Sequence, residues 1–183
     1  MVAKIEPLLT IEDLDALPED GNRYELIEGE LFVSRAPTLS HQAIVRKLLV
    51  AIQKYLEKHP IGEIWPGPGV IFSDLSGVIP DLVYISNERL DEIASGDRVV
   101  GAPDLIIEVL SPGVENERRD RKAKRQLYQK YGVKEYWLID PQVQTVEIYR
   151  TRSFRLAARI GLKEEITSAL LPRFRCAVRE ILE

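Results

Sequence analysis

Two carboxylates stand where a carboxylate is costly. In "PDLIIEVLSP" (103–112), Glu108 interrupts a run of Leu105, Ile106, Ile107, Val109 and Leu110 that suits a sheet interior. In "VIPDLVYIS" (78–86), Asp81 does the same. A buried acid has to be protonated, paired or bound to a metal. The plain alternative is structural, with one acid capping a strand end and the other paired to an arginine. Taken together the two acids point further, because adjacent strands would bring both to one spot, where like charges share a proton or hold a cation. Two carboxylates completed by water and phosphate oxygens suit Mg²⁺, with Mn²⁺ able to substitute.

A cation on an unexpected face is the next signal. "ERRDRKAKR" (117–125) places six cationic residues in nine positions, and such a run is usually a solvated helix face. At helical spacing, however, Lys124 shares a face with Leu127, Tyr128 and Tyr131, with Asp120 one turn earlier, while Lys122, Arg125 and Gln129 point elsewhere. Lys124 then either reaches past the apolar face to water, pairs with Asp120, or serves as the partner the carboxylates need. In the last case it can position water and stabilise developing negative charge. His41 lies at a helix start on the face of Ile44, Val45 and Leu48, where most histidines are hydrogen-bonded packing residues. Glu25 alternates with Tyr24 and Leu26, as a solvent-facing strand residue would.

The elements that must position these residues follow from pattern. Thr10 with Asp13 predicts a capped short helix over 10–17. "YELIEGELFVS" (24–34) reads as a hairpin around Glu28-Gly29. Ile44, Leu48, Leu49, Ile52, Tyr55 and Leu56 predict a long amphipathic helix over 40–59, ended by His59-Pro60. Strands flank a Pro/Gly turn within 61–74, and further strands fall at 78–86 and 103–112, with a short helix at 88–94 between them. A helix over about 115–131 precedes strands at "KEYWLID" and "TVEIYRT". A strand at "FRLAARI" and a helical turn at "CAVREILE" complete a mixed α/β domain whose central sheet is flanked by helices.

Bulk properties narrow the class. The chain has 183 residues, 45% hydrophobic and 30% charged, enough for one domain spanning 1–183. No apolar run reaches the roughly 18–20 residues of a membrane span. Acidic residues sit where a signal peptide would have its apolar core, and a lone cysteine, Cys176, forms neither an internal disulfide nor a cysteine-rich zinc site. A cytoplasmic location is expected. The net charge of −4 argues against a general polyanion binder, so any attraction to an acidic polymer must be local.

These segments resemble the restriction-endonuclease family within the PD-(D/E)xK nuclease superfamily. "RYELIEGELFVS" is similar to its N-terminal hairpin motif and "SHQAIVRKLL" to its first long helix. "IPDLVYIS" resembles the PD strand, "APDLIIEVLSP" the (D/E)xK strand, and "RDRKAKRQLYQKYGVKEYWLIDP" the signature helix and strand that follow. The superfamily's usual lysine, two residues after the second acid, is here Leu110. In this family the lysine is taken to have moved to the following helix in a D-x3-K-x3-Y pattern, which Asp120, Lys124 and Tyr128 match. The resemblance implies a restriction-endonuclease-like core, catalytic-site roles for Glu25 and His41, and metal ligation by Asp81 and Glu108, helped by the Val109 carbonyl. Of the two "PD" pairs, Asp104 shares a strand with Glu108 at about 13 Å along an extended chain, too far to chelate one ion. Asp81 is the better ligand.

The expectation is therefore Mg²⁺-dependent hydrolysis of phosphodiester bonds in DNA. Asp81, Glu108 and Lys124 carry the chemistry, and Arg118, Arg119, Arg121 and Arg125 touch flanking phosphates. A homodimer would supply the two sites that double-strand cleavage needs. The rival readings are a catalytically retired nuclease fold kept for DNA binding or assembly, a metal phosphoesterase acting on RNA or small nucleotides, and a purely structural protein.

Overall fold

The structure is a computed structural model that describes residues 7–113, 119–150 and 154–183. Two six-stranded sheets, rather than one central sheet, organise the chain. The first is built from β1 (Arg23–Ile27), β2 (Glu30–Ser34), β4 (Val70–Ser73), β5 (Ser76–Val78), β7 (Ala94–Ser95) and β8 (Arg98–Val100). Its order is β2-β1-β5-β4-β8-β7. The second contains β3 (Gly62–Pro66), β6 (Leu82–Ser86), β9 (Leu105–Val109), β10 (Glu135–Asp140), β11 (Thr145–Arg150) and β12 (Arg155–Gly161). Its order is β12-β11-β10-β9-β6-β3, and only β9 and β10 run parallel.

Local chemistry sets the elements. Thr10 and Asp13 form the expected capping box on α1 (Ile11–Asp15). The β1–β2 turn has positive φ at both Glu28 and Gly29, the backbone whose twist suits a two-residue hairpin. Thr38 caps α2 (Leu39–Lys58), whose buried face of Ile44, Val45, Leu48, Ile52 and Leu56 follows the helical period. Asn87–Ile93 forms α3, and short pairing of β13 (Glu165–Ile166) with β14 (Cys176–Ala177) leads into a terminal helix, Val178–Leu182. The helix expected over 115–131 differs in kind. Residues 114–118 lie outside the described set, Arg119–Lys124 is π-helical, and only Arg125–Tyr131 (α4) is α-helical.

The second sheet is a middle layer, buried on both faces. Leu105, Ile107 and Val109 of β9 pack with the apolar face of α2 and the C-terminal segment. Ile106 and Leu110 point the other way, joining Leu127 and Tyr128 of α4 and Ile27, Val70 and Val78 of the first sheet. By the two-residue period of a strand, Glu108 shares the second face. The parallel β9–β10 step requires a crossover, and the segment 119–131 is that crossover. It therefore lies directly over Glu108. Among the described residues, no helix is long and apolar enough to cross a membrane.

Leu48 is wholly buried between α2 and the sheet. Leu48→Ala is expected to lower unfolding free energy by about 2–5 kcal/mol, whereas Val50→Ala, on the exposed side of the same helix, should change it by less than about 0.5 kcal/mol. Urea titration of both variants checks the assignment of the helix face.

Candidate active site

Strand register brings the two suspect acids face to face. Leu82 pairs with Ile107 and Val83 with Ile106 in the antiparallel β6–β9 ladder, so one further step sets Asp81 opposite Glu108. Like charges so placed repel, and the surrounding groups answer that repulsion. The Val109 amide donates to Asp81 Oδ2 at 2.9 Å. His41 Nε2 lies 3.1 Å from the same oxygen and 3.0 Å from the Val109 carbonyl oxygen. Arg23 stands 3.6 Å from Asp81 Oδ1.

Lys124 is the hub on the other side. Only 2% exposed, its Nζ lies 2.7 Å from Glu25 Oε1 and 2.9 Å from Glu108 Oε1, with Asp120 Oδ1 at 3.8 Å. The Tyr128 hydroxyl donates to Glu108 Oε1 at 2.7 Å. Glu25 is buried, not solvent-facing, because β1 packs it against the β5–β6 connection, where the Ile79 amide donates to it at 2.8 Å. Lys122 is exposed, as the helical projection required.

The π-helical turn explains a member of the cluster that periodicity misses. In a π-helix the repeat is i→i+5, so Arg119 as well as Asp120 lies on the Lys124 face. Arg119 Nε bonds Asp120 Oδ1 at 2.8 Å and stands 3.7 Å from Glu25. At 3.6 residues per turn it projects outward, and nothing in the sequence marks the wider turn. The other arginines of this run occupy different settings. Arg121 pairs with Asp140 and Glu147, the Arg125 guanidinium lies over the Tyr149 ring, and Arg118 falls outside the described residues. Asp104 is fully engaged elsewhere by Ser86, Arg89 and Lys134.

Four carboxylates thus meet a lysine, two arginines and a histidine, and the acids divide. Burial pushes Glu25 up, but Lys124 and Arg119 outweigh it and hold it below the usual carboxylate range. Burial likewise raises Asp81, and His41 with the Val109 amide brings it below normal. Glu108 is pushed up to about 8 by burial, which Lys124 does not offset because Asp81, Asp120 and Glu25 add repulsion. Lys124 is raised despite its burial, since Glu108, Glu25 and Asp120 surround it, so it is an ammonium at neutral pH. Glu108 therefore mostly keeps its proton at neutral pH, and an added cation would favour its ionised form.

Among the described residues, no three His, Cys, Asp or Glu side chains form a ready cage for an ion. Asp81 and Glu108, opposed by register, and the Val109 carbonyl, which shares His41 with Asp81, all offer hard oxygens. Mg²⁺ takes such a set with one or two carboxylates, filling its other positions with water and phosphate. The residues fit that ion.

A mixed sheet carrying opposed acids on adjacent strands, with a lysine delivered by the crossover, defines a restriction-endonuclease-like fold. Residues 11–179 match the family model Uma2, described as "Putative restriction endonuclease"; the chain belongs to this family. A solved structure described as that of a "putative nuclease belonging to DUF820" from Anabaena variabilis shares the fold, with TM-score 0.77 at 21% identity over 95% of this chain and 97% of that one. Comparison with curated proteins gives no match.

The Glu108 shift makes a pH prediction. Its folded-state value of about 8 exceeds the roughly 4.3 of an unfolded glutamate. The folded state therefore holds the extra proton between these values, and the stability this contributes, complete below the lower value, is lost as pH rises through the higher. Glu108→Gln is expected to flatten the fall in melting temperature between pH 5 and 8.5. An unchanged slope would place the titration on another group.

Proposed function

We propose that this chain is a divalent-metal-dependent endonuclease that hydrolyses phosphodiester bonds in DNA, with Mg²⁺ as its ion. The observation that carries the reading is the opposition of Asp81 and Glu108 beside a buried, charged Lys124. Such an arrangement costs stability unless a cation and an anionic ligand complete it. Asp81, Glu108 and the Val109 carbonyl would hold the ion, which when bound activates water and neutralises the scissile phosphate.

Lys124 supplies charge rather than basicity. An ammonium has no free electron pair to accept a proton, so this side chain orients the attacking water and stabilises the negative charge that builds on the phosphate oxygens. Glu25 holds Lys124 from behind while the Ile79 amide fixes Glu25, and Tyr128 fixes Glu108. A phosphate entering the cluster can take over contacts that Arg119 now makes with carboxylates. Arg121 and Arg125 would have to leave Asp140, Glu147 and the Tyr149 ring to reach flanking phosphates, an attraction that is salt-sensitive and independent of base sequence. Family membership and the nuclease-like fold support this reading. Paired cuts in a duplex would need two such chains acting as a homodimer. The second reading is a retired nuclease that binds DNA without cutting it. The absence of a ready three-residue ion cage among the described residues favours it.

Calorimetry with Mg²⁺ and Mn²⁺ separates the two readings. Wild type should bind, and Asp81→Asn or Glu108→Gln should abolish binding; no binding with or without added DNA would favour the retired form. In plasmid nicking with Mg²⁺, Lys124→Ala is expected to lose about 10²–10³-fold in rate. Lys122→Ala should lose less than about twofold, as suits an exposed side chain.

A further inference from the structure

His41 sits on the pair of oxygens that the ion would use. Its Nε2 approaches Asp81 Oδ2 at 3.1 Å and the Val109 carbonyl at 3.0 Å, and both oxygens belong to the donor set described above. An N–H presented to two oxygens gives them the positive partner a cation would give. Mg²⁺, however, prefers oxygen ligands and bonds them at about 2.0–2.1 Å, which makes the imidazole a rival for the seat rather than a member of the ion's shell.

Two further observations mark the ring as removable. Its other nitrogen, Nδ1, is buried and has no hydrogen-bond partner among the described residues, whereas buried polar atoms are ordinarily paired. The ring is therefore tethered at one end only. Its backbone is fixed independently: the His41 amide donates to Thr38 Oγ1 at 3.3 Å and the Gln42 amide to the Thr38 carbonyl at 3.0 Å. The side chain can turn away without unwinding the first turn of α2.

We propose that His41 is a displaceable occupant of the metal seat, holding Asp81 and the Val109 carbonyl in position while the ion is absent and leaving when a divalent cation takes the same oxygens. This rests on the metal-dependent reading above. It makes His41 a positioning residue that competes with the ion, and it gives the unpaired Nδ1 a reason, since a ring that must leave is not bonded at both ends.

The test uses the intact chain and Mg²⁺ alone. His41→Ala and His41→Phe, the second preserving bulk, are expected to bind Mg²⁺ about tenfold more tightly than wild type, the equivalent of one or two hydrogen bonds no longer broken. Because the chain has two histidines, ring-¹⁵N NMR of the wild type reads the displacement directly. Added Mg²⁺ should move the His41 resonances and leave those of His59 in place. Binding by the His41 variants where wild type shows none would support the proposal equally. Weaker binding in both variants would make His41 a ligand or a required support, and unchanged affinity with unmoved His41 resonances would place the ion elsewhere. Either result overturns the proposal, and if Asp81→Asn still abolishes binding, the metal-dependent reading survives it. No Mg²⁺ binding by wild type or either variant overturns both. Should the alanine variant fail to fold, the phenylalanine variant and the wild-type spectra decide.

Discussion

The contact between Lys124 and the two glutamates is the constraint around which this molecule is arranged. A lysine so deeply buried is uncommon, and removing one member of a buried ion pair leaves the other uncompensated. The three charges must therefore arrive together. Glu25 comes from the first sheet, Glu108 from the middle of the second, and Lys124 from the crossover between β9 and β10. Docking of the two sheets, apolar on its own account through Ile27, Val70, Val78, Val83 and Ile106, is what brings Glu25 within reach of the lysine. The hydrophobic layer supplies the driving force and the charge cluster sets the alignment.

Much of this was legible beforehand because it rests on local period. An apolar run interrupted once marked Glu108 as a buried acid, and the helical projection separated Lys124 from Lys122. The opposition of Asp81 and Glu108 was inferable only as adjacency; the register that sets them one against the other belongs to the β6–β9 ladder. Glu25 was misleading for a physical reason. Alternation in an edge hairpin predicts a solvent face, but another segment, the β5–β6 connection, covers it and donates an amide to it. Arg119 was hidden by the π-turn, since a reading at 3.6 residues per turn sends it outward. The division into two sheets was likewise unreadable, because short strands such as β5, β7 and β8 carry too few residues to show a face.

The strand and the segment above it divide two tasks. Leu110 keeps the end of β9 apolar, in the same buried layer as Leu127 and Tyr128. The ammonium is supplied from the overlying segment instead. What the strand loses in charge it gains in burial, and the helix needs a face mixed enough to carry Lys124 beside Leu127 and Tyr128. Tyr128 serves both requirements, its ring packed against Tyr136 and its hydroxyl bonded to Glu108.

The crossover has a consequence for how the molecule comes into being. Parallel strands cannot pair until the chain between them has been laid down and folded back, and contacts of long sequence separation form late. Lys124 rides on that connection, and Glu25 waits on the opposite sheet near the start of the chain. A chain that lacks this segment therefore holds acids without their cation, and a nascent polypeptide has no assembled centre until the crossover and β10 are in place. Competence is coupled to that pairing: the step that joins β9 to β10 also seats the lysine.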